Sequence, residues 1–158
     1  MNFLILSDTH GHSDRIAKLL SRPSVRPDAI LFAGDGVRDF EGLSLPCPLF
    51  AVKGNNDWST TAPASMTLEL EGLRIYLTHG HAQGVKYGLD ALAGHARANG
   101  IDVAIYGHTH RRQESCLQAE EGRPLWLFNP GSLGDAEASF GTLTIRGGQV
   151  LFGFGSLQ

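Results

Sequence analysis

Five short apolar runs in this chain each stop at a small cluster of carboxylate, carboxamide or imidazole side chains. Phe3-Leu4-Ile5-Leu6 leads into Asp8 and His10, and Ala29-Ile30-Leu31-Phe32-Ala33 into Asp35. Pro48-Leu49-Phe50-Ala51-Val52 leads into Asn55 and Asp57, Leu73-Arg74-Ile75-Tyr76-Leu77 into His79, and Asp102-Val103-Ala104-Ile105-Tyr106 into His108 and His110. Runs of this length and composition, bounded by Gly and polar residues, read as buried strands. Between the first three lie helical patterns: Ser13, placed to cap, to about Leu20 with Ile16, Leu19 and Leu20 on one face, and a turn around Asp39 to Leu43. Strand, helix, strand in alternation predicts a parallel sheet. In such sheets the ligand site lies beyond the carboxyl ends of the strands. Loops far apart in sequence can therefore converge on one place.

The rest of the chain is richer in strands. Met66 to Leu70 and Leu73 to Leu77 form a hairpin around Glu71-Gly72, and a helix is expected from about Gly88 to Ala98 with Gly100 as its stop. Glu114 to Gln118, Leu125 to Phe128, Phe140 to Ile145 and Val150 to Phe154 alternate as strands, the last two joined at Gly147-Gly148. That is too many strands for one sheet. Two packed sheets with helices outside, in one α/β domain over 1–158, is the expected solution.

Composition removes several function classes. Charged residues make up 18% of the 158 and hydrophobic ones 42%, which argues against disorder. The net charge of −3, with no basic run longer than Arg111-Arg112, gives nothing to drive general nucleic-acid binding. No apolar run approaches the roughly 20 residues of a membrane helix. The first residues lack the basic segment and cleavage site of a signal peptide. Cys47 and Cys116 stand far apart and read as small buried hydrophobes in a reducing cytoplasm, the expected location.

Oxygen and imidazole ligands without thiolate suit Mn²⁺, Fe²⁺, Zn²⁺ or Ni²⁺ over soft-metal sites; Mn²⁺ is the expected ion. Asp8, His10, Asp35, Asn55, His79, His108 and His110 are more side chains than the three or four that one catalytic ion uses. With one carboxylate shared, they supply four ligands to each of two ions. Paired ions of this kind activate water for in-line attack on phosphorus.

The ordered set Asp8-x-His10, Gly34-Asp35, Gly54-Asn55-x-Asp57, His79 and Gly107-His108-x-His110 resembles the calcineurin-like metallophosphoesterase superfamily. Thr78-His79-Gly80-His81, Asn129-Pro130-Gly131-Ser132 and the short length resemble its small bacterial and archaeal phosphodiesterase branch. The resemblance spans residues 3 to about 154. It implies a four-layer α/β/β/α sandwich of two mixed sheets with helices outside, and hydrolysis of a phosphodiester by a hydroxide shared between two metal ions. It assigns Asp8, His10, Asp35 and His110 to the first ion, with Asp35 bridging, and Asn55, His79 and His108 to the second. Asp57 would orient a neighbouring ligand, and the Asn129-Pro130-Gly131-Ser132 turn would have a structural role near the site. A phosphomonoesterase or nucleotide pyrophosphatase on the same site is the nearest alternative. The retromer scaffold subunit, which has a similar fold, supplies a non-catalytic one. The expected substrate is a small phosphodiester or nucleotide-like molecule, and the apolar tail strands leave room for a dimer or tetramer.

One position departs from the family pattern. Many members carry His after the first Asn of the third motif, where it contacts phosphate and protonates the leaving group. This chain has Asn56, which cannot act as a general acid. His12 and His81 are the candidates to substitute. Arg111 and Arg112 are expected at a solvated strand edge rather than as a phosphate clamp.

Overall fold

The computed structural model describes residues 1–119 and 122–157. Its elements are β1 (Asn2–Leu6), α1 (Ser13–Leu20), β2 (Ala29–Phe32), β3 (Leu49–Ala51), β4 (Ser65–Leu70) and β5 (Leu73–Thr78). They continue with α2 (Asp90–Ala98), β6 (Val103–Ile105), β7 (Arg112–Leu117), β8 (Leu125–Pro130), β9 (Ser139–Arg146) and β10 (Gln149–Ser156). Three short 3-10 turns cover Val37–Phe40, His81–Gln83 and Val85–Tyr87. One sheet has the order β10-β9-β1-β2-β3 and the other β4-β5-β6-β8-β7. β1, β2 and β3 are parallel, with β9 antiparallel to β1. β5, β6 and β8 are parallel, flanked by antiparallel β4 and β7.

The period-two side-chain alternation of a strand explains the layering. From β1, Phe3 and Ile5 point between the sheets and meet Ile75, Leu77, Val103 and Ile105. Leu4 and Leu6 point the other way, under Ile16 and Leu19 of α1. On the second sheet Tyr76, Ala104 and Tyr106 face outward against Leu92, Ala93 and Ala96 of α2. Both faces of each central strand are thus covered, so these strands read as unbroken apolar runs. The result is the expected α/β/β/α sandwich.

Three local details differ from expectation. His12, not Ser13, is the N-cap of α1, and no side chain caps it; Asp14 in the first turn supplies the favourable charge instead. The turn expected over Asp39 to Leu43 is a 3-10 turn at Val37–Phe40. α2 starts at Asp90 because Gly88, at φ +139°, is outside helical space. Arg112 donates to the Gly155 carbonyl and to Ser156 Oγ, clipping β7 to the end of β10 rather than facing the site. No helix among the described residues is long and apolar enough to cross a membrane.

Candidate metal centre

The strand ends are laced to one another before any side chain is considered. Asp8 N–H donates to the Gly34 carbonyl and His10 N–H to the Asp35 carbonyl, joining the loops after β1 and β2. Gly107 N–H donates to the His79 carbonyl, joining those after β5 and β6. The two sheets are then pinned together: Leu133 and Gly134 N–H donate to the Ser7 and Asp8 carbonyls, and Ser132 Oγ also donates to Asp8. The turn Asn129-Pro130-Gly131-Ser132 has a clear part in this. Asn129 Nδ2 donates to the Gly107 carbonyl and to Thr109 Oγ1, and its Oδ1 accepts from Gly131 N–H.

This lacing imposes unusual backbone. Seven non-glycine residues have positive φ among those described, and five of them are candidate ligands: Asp8 (+53°), His10 (+44°), Asp35 (+62°), His108 (+70°) and His110 (+61°). Left-handed backbone costs an L-residue about 1–2 kcal/mol. Such outliers concentrate where geometry is held for function. Here each lets a chain leaving the sheet turn sharply and aim its side chain across the strand ends.

Asp8 lies at the centre, fully buried. Its Oδ2 accepts from Ser7 Oγ at 2.6 Å and from His108 N–H at 3.0 Å. Its Oδ1 is buried with no hydrogen-bond partner, as is His79 Nε2. Three imidazole nitrogens face that oxygen: His110 Nε2 at 3.3 Å, His10 Nε2 at 3.6 Å and His79 Nε2 at 3.8 Å. None of them forms a hydrogen bond to that oxygen. The gaps suit a cation held at about 2.0–2.2 Å from each donor. A buried carboxylate oxygen left without a partner costs about 1–3 kcal/mol or more, so the arrangement calls for a positive charge among these atoms. The residues therefore fit a divalent metal.

Two sets of ligand atoms are close enough to share an ion: Asp8, His10 and His110, and Asp8, Asp35 and His79. Asp8 belongs to both. Asp35 Oδ2 lies 3.4 Å from His79 Nε2 and 3.9 Å from His10 Nε2, so it also spans the two sets. The structure thus offers two carboxylates in bridging position where the sequence suggested Asp35 alone. His108 packs its ring 5.0 Å from that of His79 but lies in neither set, and Asn55 is exposed on its loop.

The electrostatics agree. Burial alone would raise the Asp8 carboxyl, but the facing His10 and His110 and the charge of His79 hold it far below the usual carboxylate range. Asp35 follows the same pattern: burial raises it, and His79 together with Asn56 brings it down to about 2. His110 is lifted to about 9, chiefly by Asp8 and, after the opposing cost of burial, also by Asp135. His81 and His108 shift down, through burial and then the neighbouring His79 charge.

The remaining candidates have distinct positions. Asp57 touches none of these ligand atoms. Its oxygens accept from the backbone N–H groups of Asp35, Gly36, Val37 and Gly54, so it shapes the loops that present Asp35 and Asn55. His81 stands beside the cluster, its ring 5.4 Å from His79 and 6.1 Å from His108. His12 turns toward Asp14, 3.8 Å away, and contacts no ligand set. Of the two substitutes for a missing acid, His81 alone is beside the site.

Two residues make contacts to candidate ligands that sequence reasoning did not foresee. Asn56 donates to both oxygens of Asp35, from N–H and from Nδ2, each at 2.9 Å. Asp135 Oδ1 lies 2.9 Å from His110 Nδ1. A lone acid in a turn carries no sequence signal of such a contact.

The model of the calcineurin-like phosphoesterase superfamily domain matches residues 1–148. The phosphodiesterase YfcE of Escherichia coli K12 is 38% identical over 175 residues, covering 90% of this chain and 87% of its own. The crystal structure of a conserved Streptococcus pneumoniae TIGR4 protein superposes with a TM-score of 0.79 at 24% identity, over 98% of this chain and 88% of that one. Vps29 of Entamoeba histolytica, solved with Zn²⁺, superposes at 0.73 and 21% identity over 99% of both chains. The last two likenesses speak to fold. The family match and the Asp/His cluster speak to metal-dependent phosphoester hydrolysis, and the chain belongs to the calcineurin-like phosphoesterase superfamily.

Proposed function

We propose that this protein is a phosphodiesterase working with two divalent ions, Mn²⁺ foremost and Ni²⁺, Fe²⁺ or Zn²⁺ as alternatives. The observation that carries the metal reading is the unpartnered, buried Asp8 Oδ1 facing three imidazole nitrogens. Asp8, His10 and His110 would hold one ion, and Asp35, His79, His108 and Asn55 the other, with Asp35 or Asp8 between them. Bound there, the ions would supply Lewis acidity to the phosphoryl oxygens and make hydroxide available near neutral pH. The chain's own contribution is positional. Asn56 fixes both oxygens of Asp35, Asp57 holds the loops, and Ser7 and the His108 N–H orient Asp8. His81, beside His79 and His108, would be the imidazole to contact a leaving group or a phosphate oxygen. Diester over monoester is supported by the YfcE relative, whose name is that of a phosphodiesterase.

The substrate would be a small diester or nucleotide-like molecule, the location cytoplasmic, and the chain a homo-oligomer. A non-catalytic scaffold would need a degraded site, whereas competent ligand types stand at every motif position here. The test is metal analysis followed by turnover of aryl diesters, monoesters and nucleoside pyrophosphates after reconstitution with each ion. Faster diester turnover is expected. Equal or greater monoester turnover would replace the reading with phosphomonoesterase, and bound metal without turnover of any ester would favour the scaffold.

A further inference from the structure

The three imidazoles that face Asp8 Oδ1 are not supported alike. His79 Nδ1 meets a neutral backbone carbonyl, that of Ala33, at 2.7 Å. His110 Nδ1 meets a carboxylate, Asp135 Oδ1, at 2.9 Å. A carboxylate can only accept, so Nδ1 of His110 carries a proton, which leaves Nε2, facing Asp8, as the nitrogen that would ligate a cation.

Asp135 does not reach His110 by chance of a loose loop. Arg15 of α1 donates from Nη1 to the carbonyls of Leu133 at 2.8 Å and Asp135 at 2.6 Å. Leu133 is fully buried. Gly134 N–H donates to the Asp8 carbonyl at 3.0 Å, and a Cβ on Gly134 would come within 2.7 Å of that same oxygen. The loop is thus clamped from one side by a helix and pressed from the other onto the backbone of a candidate ligand. Its Asp135 carboxylate faces the back of another ligand, His110.

We infer that Asp135 is a positioning residue that fixes the tautomer and ring orientation of His110 and strengthens it as a ligand, setting one metal position apart from the other. The inference rests on the metal reading proposed above. A carboxylate behind an imidazole makes it a more basic ligand than a backbone carbonyl does, and loss of such partners typically weakens metal affinity 10–100-fold. The ion served by Asp8, His10 and His110 should therefore depend on Asp135, and the one served by Asp35 and His79 should not.

The test compares the full chain with Asp135→Asn and Asp135→Ala. Zn²⁺ binding is followed by competition with a chelator, His110 by ¹⁵N–¹H NMR of the Zn²⁺-loaded protein, and folding by urea midpoint. In Asp135→Ala one ion should weaken 10–100-fold while any other keeps its affinity, and the downfield Nδ1–H signal of His110 should disappear. Asp135→Asn keeps an acceptor oxygen and should fall between. If Asp135→Ala does not fold, the near-isosteric Asn variant decides alone, by a weakened ion and an upfield shift of the same proton. Unchanged affinity with an unmoved His110 signal overturns the inference. So does a uniform loss at every ion together with a lowered urea midpoint, which marks a merely structural residue. A wild-type chain that binds no Zn²⁺ overturns the metal reading itself, and this is seen before any variant is compared.

Discussion

Gly54→Ala tests the placement of Asp35 without touching a ligand. Gly54 does not need positive φ, so alanine meets no backbone penalty there. The obstacle is space. A Cβ would lie 2.0 Å from Asp35 Oδ1, 2.7 Å from its Cγ and 2.6 Å from its backbone nitrogen. Contacts under 3.0 Å are essentially never tolerated, so the Asp35 carboxylate must retreat by about 1 Å or more. The backbone nitrogen cannot swing away, because it donates to Asp57 Oδ2 at 2.7 Å. Overpacking of this kind costs about 1–3 kcal/mol. Loosening the two Asn56 donations to Asp35 adds about 1 kcal/mol each. A total of about 3–5 kcal/mol leaves a protein of ordinary stability folded, but a misplacement near 1 Å is worth roughly 100-fold in rate. Urea unfolding, metal titration and kcat/KM on an aryl diester should thus show a folded, destabilised enzyme with weak metal binding and at least a 100-fold loss. Gly94→Ala is the control. It sits in α2 with nothing within 4 Å of its added Cβ, and should gain up to about 1 kcal/mol. Wild-type metal affinity and turnover in Gly54→Ala would refute the geometry of Asp35.

Other perturbations separate the two ion positions. Asp35→Asn removes a negative charge between them and should abolish binding of at least one ion; elemental analysis finding two per chain at wild-type affinity would contradict this. His79→Ala should empty one position and leave the Asp8, His10 and His110 set partly filled, readable by the same analysis. His108→Gly should be more stable than His108→Ala by about 1 kcal/mol in urea, because φ is +70° there. Equal midpoints would show that this backbone is not strained. Asn56→His should speed alkyl diesters more than aryl ones, by ~10-fold. Parallel dependence on leaving-group pKa would show that position 56 handles no proton.

How far the sequence carried is best judged residue by residue. β1 and β2 were legible because central parallel strands are buried on both faces, and four or more apolar residues in a row, such as Phe3 to Leu6, are what that burial demands. The convergence of Asp8, His10, Asp35, His79 and His110 was legible because each follows such a strand. The start of α1 was not, since His12 and Ser13 are both ordinary at a helix boundary and only backbone angles decide between them. The role of Asp57 was half visible: its neighbourhood to the ligands was readable, but not that its carboxylate goes to four backbone donors. The left-handed backbone at His10, Asp35, His108 and His110 was only weakly marked in the sequence. Asp and His are enriched at positive φ, but far less than Gly, and most of them lie in ordinary backbone.

That last point bears on what holds the site. Five ligand-bearing residues sit in left-handed backbone, and Asp8 Oδ1 is buried without a partner. Each is unfavourable on its own, and none would persist in an isolated loop. They persist because the connections around them belong to the two sheets: Gly34 and Asp35 carbonyls from one side, Gly107, Ser132 and Gly134 from the other. Relaxing Asp8 to ordinary backbone would break its bond to Gly34 and release Gly134, loosening the loop after β1 from the loop after β8. The unfavourable terms are local, whereas the bonds opposing their relief are distributed over both sheets. The ligand cluster is thus held by backbone connections distributed over both sheets, which is the condition for preorganised electrostatic catalysis.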